Sequence, residues 1–169
     1  MGVWTTTPRT WVAGEVPTAT HFNENLRDFG RAFADAWTAY TPTLTASTTS
    51  PTNWTQTGYY MQAGKLVICR FLLTAGGSMT AGSGTYRVAL PVNASTTLGE
   101  APGPNSTMCV DSSASLRFTP SIVIPNTAYL EFRYQATWPT GSATAVTNSA
   151  PWTWAASDTI AGALIYEAA

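Results

Sequence analysis

Two apolar patterns divide the chain. From Thr20 to Trp37, the residues Phe22, Leu26, Phe29, Phe33 and then Ala36 or Trp37 recur at spacings of four, three, four and three or four. That is the period of one helix face. Thr20 is a suitable N-cap, Pro17 lies upstream and Glu24 falls in the first turn, while Arg31 and Asp35 form an i,i+4 pair on the other side. The stripe is narrow and heptad-like, so the helix is expected to pack against a like partner, onto a flat surface or over its own β-domain. Two heptads do not decide among these. Upstream, residues 1–20 show neither a helical nor a strand period and carry Pro8 and Pro17. This stretch reads as an extended arm, in which Trp4 and Trp11 are large apolar surfaces without a core of their own.

Beyond Trp37 the period becomes two. Threonine (29 in the chain), Val, Ile and aromatic residues alternate with polar positions, and clusters of Gly, Pro, Asn and Ser interrupt them about every ten residues. Strands are predicted at 40–45, 58–62, 66–75, 85–89, 108–111, 116–118, 121–124, 129–136 and 159–167. Tyr129, Glu131, Arg133 and Gln135 alternate with Leu130, Phe132, Tyr134 and Ala136, which predicts one wet and one dry face. In the final strand Ile160, Gly162, Leu164 and Tyr166 alternate with small Ala161 and Ala163, so both faces are expected to be partly covered. The stretches 47–57, 76–84, 93–107 and 139–150 read as polar loop tips. The expected fold is mainly β: an antiparallel β-sandwich of jelly-roll type, with a barrel as the alternative, preceded by the arm and one short α-helix. The boundary falls at Trp37, giving residues 1–37 and a β-domain over 38–169.

Charge sharpens this division. Only 10% of the 169 residues are charged, against roughly 25% in ordinary globular domains, and seven of the seventeen charges lie in residues 1–37. A formal net charge of −1 leaves no basic field for nucleic acid or anionic lipid. No run reaches the roughly 18 apolar residues of a membrane helix, and the first residues lack the basic start and apolar run of a secretory signal. Neither nucleic acid nor membrane is expected as a partner, and synthesis in the cytoplasm is.

Candidate chemistry is sparse. His21, the only histidine, falls in the first helical turn with no nucleophile pattern around it. Cys69 and Cys109 lack metal-site spacing; a buried thiol is the expected state of Cys69 and a Cys69–Cys109 bridge the alternative. Glu100, Asp111, Glu131, Asp158 and Glu167 show no spacing that marks a catalytic pair. The glycines of Gly76-Gly77 and Gly82-Ser83-Gly84 read as a hairpin turn and not a phosphate cradle. Three Asn-x-Ser/Thr triplets, at Asn53, Asn93 and Asn105, are close to chance in so Ser/Thr-rich a chain. No catalytic, cofactor or metal residue is assigned, and a non-enzymatic protein is expected. Of the seven Trp, Trp138 and Trp152 flank a long polar loop and are the best pair for stacking on a sugar.

The run Pro8-Arg9-Thr10-Trp11-Val12-Ala13-Gly14-Glu15-Val16-Pro17-Thr18-Ala19, then Phe22-Asn23, Leu26-Arg27-Asp28 and Phe33, resembles the N-terminal segment of virion structural proteins of tailed bacteriophages, especially those of actinobacterial hosts. Tyr40-Thr41-Pro42-Thr43-Leu44, Gly58-Tyr59-Tyr60, Gly64-Lys65-Leu66-Val67, Gly84-Thr85-Tyr86 and Leu90-Pro91-Val92 resemble the start of the β-domain in the same group. The likeness covers about the first 92 residues. It implies a non-enzymatic virion component, usually a homotrimer, of the head decoration, head fibre or minor tail type, made in the bacterial cytoplasm and carried on the particle. On this reading Trp4 and Trp11 anchor to phage capsid or tail proteins, and Phe22, Leu26, Phe29, Phe33 and Trp37 form an oligomer interface. The β-domain is displayed. The alternative is a minor tail protein or adhesin that recognises host cell-wall glycan through Trp138 and Trp152.

Overall fold

A computed structural model of the chain describes residues 12–23, 30, 37–95, 105–135 and 143–169. Its elements are a short helix α1 (Ala19–Phe22) and eleven strands: β1 (Thr38–Tyr40), β2 (Leu44–Ala46), β3 (Thr52–Ala63), β4 (Leu66–Thr80), β5 (Tyr86–Ala89), β6 (Ser106–Asp111), β7 (Leu116–Phe118), β8 (Ser121–Asn126), β9 (Tyr129–Gln135), β10 (Ala143–Ala145) and β11 (Thr159–Glu167). They form two antiparallel sheets. One has six strands in the order β1-β3-β4-β11-β6-β7; the other runs β10-β9-β5-β2, with β8 also paired to β9. The protein is a β-sandwich, one of the two architectures that the alternating pattern allows.

Alternation places the core between the sheets. Val67, Cys69, Phe71, Leu73 and Ala75 of β4 point inward beside Ile160, Leu164 and Tyr166 of β11, and meet Tyr86, Val88, Leu130, Phe132 and Ile122 from the second sheet. Phe71 and Phe132 touch across the interface with ring centroids 6.2 Å apart. Gly162 is in this layer because a Cβ would stand 2.7 Å from Cε1 of Phe71. Gly58 likewise leaves room for the ring of Tyr40. Burial pushes the hydroxyls of Tyr40, Tyr86 and Tyr166 well above the usual tyrosine range.

Several expectations need correction. The helix starts two residues earlier than predicted: Thr18, not Thr20, is the N-cap, its Oγ1 accepting from the His21 N–H while His21 Nδ1 accepts from the Thr18 N–H. His21 is therefore a capping residue. The predicted strand 40–45 divides into β1 and β2, since Pro42 has no N–H to donate and is buried at the crossing between sheets. Much of the supposed loop 47–57 belongs to β3. The Gly76-Gly77 pair is not a turn but lies within β4, in an irregularity where residues 76–79 stand opposite the single residue Asn53 (φ 57°), whose Nδ2 donates to the Ser78 carbonyl. β10 falls in a stretch read as loop, 139–150.

Cys69 and Cys109 are both free and buried. They sit on β4 and β6 with β11 between them, Cys69 opposite Leu164 and Cys109 opposite Ile160. That separation exceeds the roughly 7 Å Cα reach of a disulfide. Burial pushes both thiols up to about 12. In a maleimide titration of the native protein near neutral pH, neither thiol is expected to react on the timescale of a surface cysteine. Both should label fully in denaturant; prompt labelling of the native protein would contradict this packing.

Candidate functional site

The outward face of the six-stranded sheet is the most unusual surface of the described residues. The pairing registers fix its rows: Thr57, Leu72, Ala161 and Met108 lie side by side across β3, β4, β11 and β6, and Tyr59, Arg70, Ala163 and Ser106 form the next row. Met61, Ile68 and Ile165 make a third. Nine large hydrophobic residues are exposed among the described residues, and five of them (Trp37, Tyr59, Leu66, Leu72 and Met108) are on this face, with Leu72 at 46%. Three of the others, Val12, Val16 and Phe22, belong to the N-terminal segment. Scattered apolar residues need no explanation, but a contiguous apolar sheet face does.

Its one central charge, Arg70, is exposed but stacked on aromatic rings. The Arg70 guanidinium lies over the Trp37 ring at 5.1 Å and the Tyr59 ring at 5.4 Å, so the cation is covered on the side of β1 and β3. A shallow cleft of about 230 Å³ opens between Thr57, Tyr59, Arg70 and Leu72. At one end Lys65 pairs with Glu167 at 3.4 Å, with both side chains well exposed, so this contact adds little.

The outward face of the other sheet is built differently. Arg87 Nε donates to Glu131 Oε1 at 2.9 Å and Arg133 Nη2 to Oε2 at 2.7 Å. Arg87 also stacks over Tyr129 at 4.6 Å. Glu131, expected on a wet face, is instead buried, because the two arginines close over it. A depression of about 480 Å³ lies beside this group, lined by Phe118, Ser121, Arg133 and Tyr134. One sheet thus presents apolar side chains and the other presents paired charges.

The remaining described carboxylates hold turns. Asp158 is fully buried; its Oδ1 accepts from the Ser112 N–H and its Oδ2 from the Ala155 N–H. Asp111 Oδ1 accepts from the N–H groups of Ala114 and Ser113 and from Ser113 Oγ. These donors, Ala114 first, keep the Asp111 carboxyl below the usual aspartate range. Its contribution to stability is present above the ordinary aspartate value and is lost as the pH falls through the lowered one. Asp111, Glu131, Asp158 and Glu167 are therefore each engaged in a structural contact. No group of three or more His, Cys, Asp or Glu able to hold a metal ion occurs among the described residues. None of their helices is long and apolar enough to cross a membrane.

Of the residues assigned from sequence, Phe22 is exposed on α1 and Trp37 is exposed at the edge of the apolar face, over Arg70. Trp152 is half-buried, its ring tilted against Trp154 at a centroid distance of 5.4 Å and its Nε1 buried. Trp4, Trp11, Leu26, Phe29, Phe33 and Trp138 lie outside the described residues. Sequence reasoning did not assign Leu72, Met108 and Ala161 to a surface. Their only signal was the small-residue side of the last strand, and nothing in the sequence gives the register that brings Leu72 and Met108 to either side of Ala161.

Comparison with protein-family models, with curated proteins and with solved structures returned no match.

Proposed function

We propose that the chain is a non-enzymatic structural protein of a tailed-phage virion, a trimeric capsid decoration or head-fibre protein. Residues 1–37 anchor and associate it, and the β-sandwich is displayed. The observation that carries this reading is the apolar outward face of the six-stranded sheet, which suits a protein whose work is to be built into an assembly. The likeness of the first 92 residues to phage virion proteins supplies the setting. Threefold closure is geometrically reasonable: with strands about 4.8 Å apart, three sheets four strands wide form a triangular prism whose axis lies roughly 5–6 Å from each sheet, about the depth of one side-chain layer. Trp4 and Trp11 then bind capsid or tail subunits, each contributing about 2–3 kcal/mol if fully buried and multiplied across the trimer by avidity. The adhesin reading has less support, since Trp152 leans on Trp154 and its indole nitrogen is enclosed.

Deleting residues 1–20 tests the anchor. In co-sedimentation with virions lacking the protein, the full chain is expected to pellet, while the truncated form stays in the supernatant with its β-sheet circular dichroism intact. Pelleting of the truncated form overturns the anchor. Absence of peptides of this chain from purified virions of a phage that encodes it overturns the virion reading.

A further inference from the structure

We infer that the outward face of the six-stranded sheet, centred on Leu72, Ala161 and Met108, is the contact surface between copies of this chain. This rests on the homo-oligomeric part of the function proposed above and not on the virion setting, and it places the contact in the β-domain in addition to the helix stripe.

Size is the first argument. Nine residues of β4 from Leu66 to Thr74 extend about 30 Å, and four long strands span about 19 Å; with the short edge strands the face projects to roughly 600–700 Å². A specific interface needs about 1,000 Å² in total, or about 500 Å² from each partner. The apolar part of the face is smaller, since Thr55, Thr74, Thr159, Arg70 and Ser106 share it, but Leu72, Met108, Met61, Ile68 and Ile165 lie side by side within it.

Character is the second argument. Transient interfaces with foreign partners are about as polar as ordinary protein surface, whereas contacts between identical subunits are more apolar and depleted of charge at their centre. Here the central rows read Thr57–Leu72–Ala161–Met108, Tyr59–Arg70–Ala163–Ser106 and Met61–Ile68–Ile165; Arg70, the one charge among them, is exposed and stacks on Trp37 and Tyr59. No acidic side chain stands in those rows; Glu167, at the end of the face, is paired with Lys65. The charges on this face are few: Arg70, Arg117 opposite Val110 at the β7 edge, and the Lys65–Glu167 pair.

Shape is the third argument. Ala161 and Ala163 make a shallow trough along β11, walled on one side by Leu72 and Arg70 of β4 and on the other by Met108 and Ser106 of β6. A ridge beside a trough of similar length is self-complementary: Leu72 of one copy fits over Ala161 of the next. The opposite sheet, with its Arg87–Glu131–Arg133 group, has no comparable relief of large and small apolar side chains.

The test uses the full chain and two variants. Light scattering of the wild type is expected to give a multiple of 18.0 kDa, and Leu72→Glu is expected to weaken association at least about tenfold, since each closure must desolvate a carboxylate, a cost that neighbouring Arg70 offsets only in part. In the second variant, Leu72→Cys, the new thiol should react with maleimide about tenfold more slowly than one introduced at exposed Ala156. The native thiols do not interfere, both being buried. If Leu72→Glu fails to fold, the labelling of Leu72→Cys decides alone. A wild type of oligomeric mass whose Leu72→Cys thiol reacts as fast as Ala156→Cys overturns this face and leaves the oligomer standing through the helix. A wild-type mass near 18 kDa at all concentrations overturns both.

Discussion

Replacing Asp158 with alanine is expected to destabilise the protein by about 3 kcal/mol, because a fully buried carboxylate that accepts from two backbone N–H groups is lost and leaves a void where it stood. The carboxylate is fully buried and joins two turns that are distant in sequence, accepting from Ser112 after β6 and from Ala155 before β11. Ser112 Oγ reinforces the same junction by donating to the Ser157 carbonyl at 2.5 Å. Asp158→Asn keeps one good acceptor and is expected to lose about half as much. Urea unfolding checks this: the midpoint should fall while the slope stays constant. A loss below about 1 kcal/mol for the alanine variant would mean that the turns hold each other without the carboxylate.

The second large effect is expected at Trp154. Its ring lies 5.7 Å from Trp54, 5.9 Å from Tyr86 and 5.4 Å from Trp152, and its Nε1 donates to the Thr147 carbonyl at 2.7 Å. Trp154→Ala therefore opens a cavity at the loop end of the core and leaves a carbonyl without its donor, for about 3–5 kcal/mol. Trp152→Ala removes a half-buried ring from the rim of the same cluster and is expected to cost about 1–2 kcal/mol. Thermal denaturation of the two variants side by side gives the comparison. If Trp152→Ala proved the more destabilising, the cluster would be centred on the wrong ring. If it changed stability little and abolished binding to cell-wall glycan, Trp152 would instead serve a ligand.

Local alternation made most of the fold legible. β9 and β11 follow their two-residue period, and Ile160, Gly162, Leu164 and Tyr166 face inward as that period requires. The apolar run around Cys69 points to a buried thiol but leaves a bridge to Cys109 open; β11 lying between the two strands is what excludes it. Features that depend on a distant partner were hidden. Gly76 and Gly77 look like a turn, yet they belong to the irregular stretch of β4 opposite Asn53, whose carbonyl oxygen stands 2.6 Å from where a Cβ at Gly76 would lie. β10 is only three residues long and forms on the edge offered by β9. Glu131 sits on the predicted outer side of its strand, but two arginines, one on the neighbouring β5, remove it from water. The apolar face escaped for the same reason: its outward residues come from four strands, and single strands with one half-exposed side do not reveal what aligns beside them.

The position of β11 has a consequence in time. This strand forms the middle of the six-stranded sheet, hydrogen-bonded to β4 along its whole length and to β6 along five residues, yet it is synthesised after both. Until it emerges, the sheet is two fragments whose facing edges carry unpaired N–H and C=O groups, the exposed edges through which chains most readily pair wrongly. β4 must then wait for a strand about ninety residues downstream, a long loop to close before any pairing enthalpy is recovered. Folding should therefore finish after translation of the domain and slowly for its size, with the growing chain most vulnerable to aggregation between completion of β6 and arrival of β11.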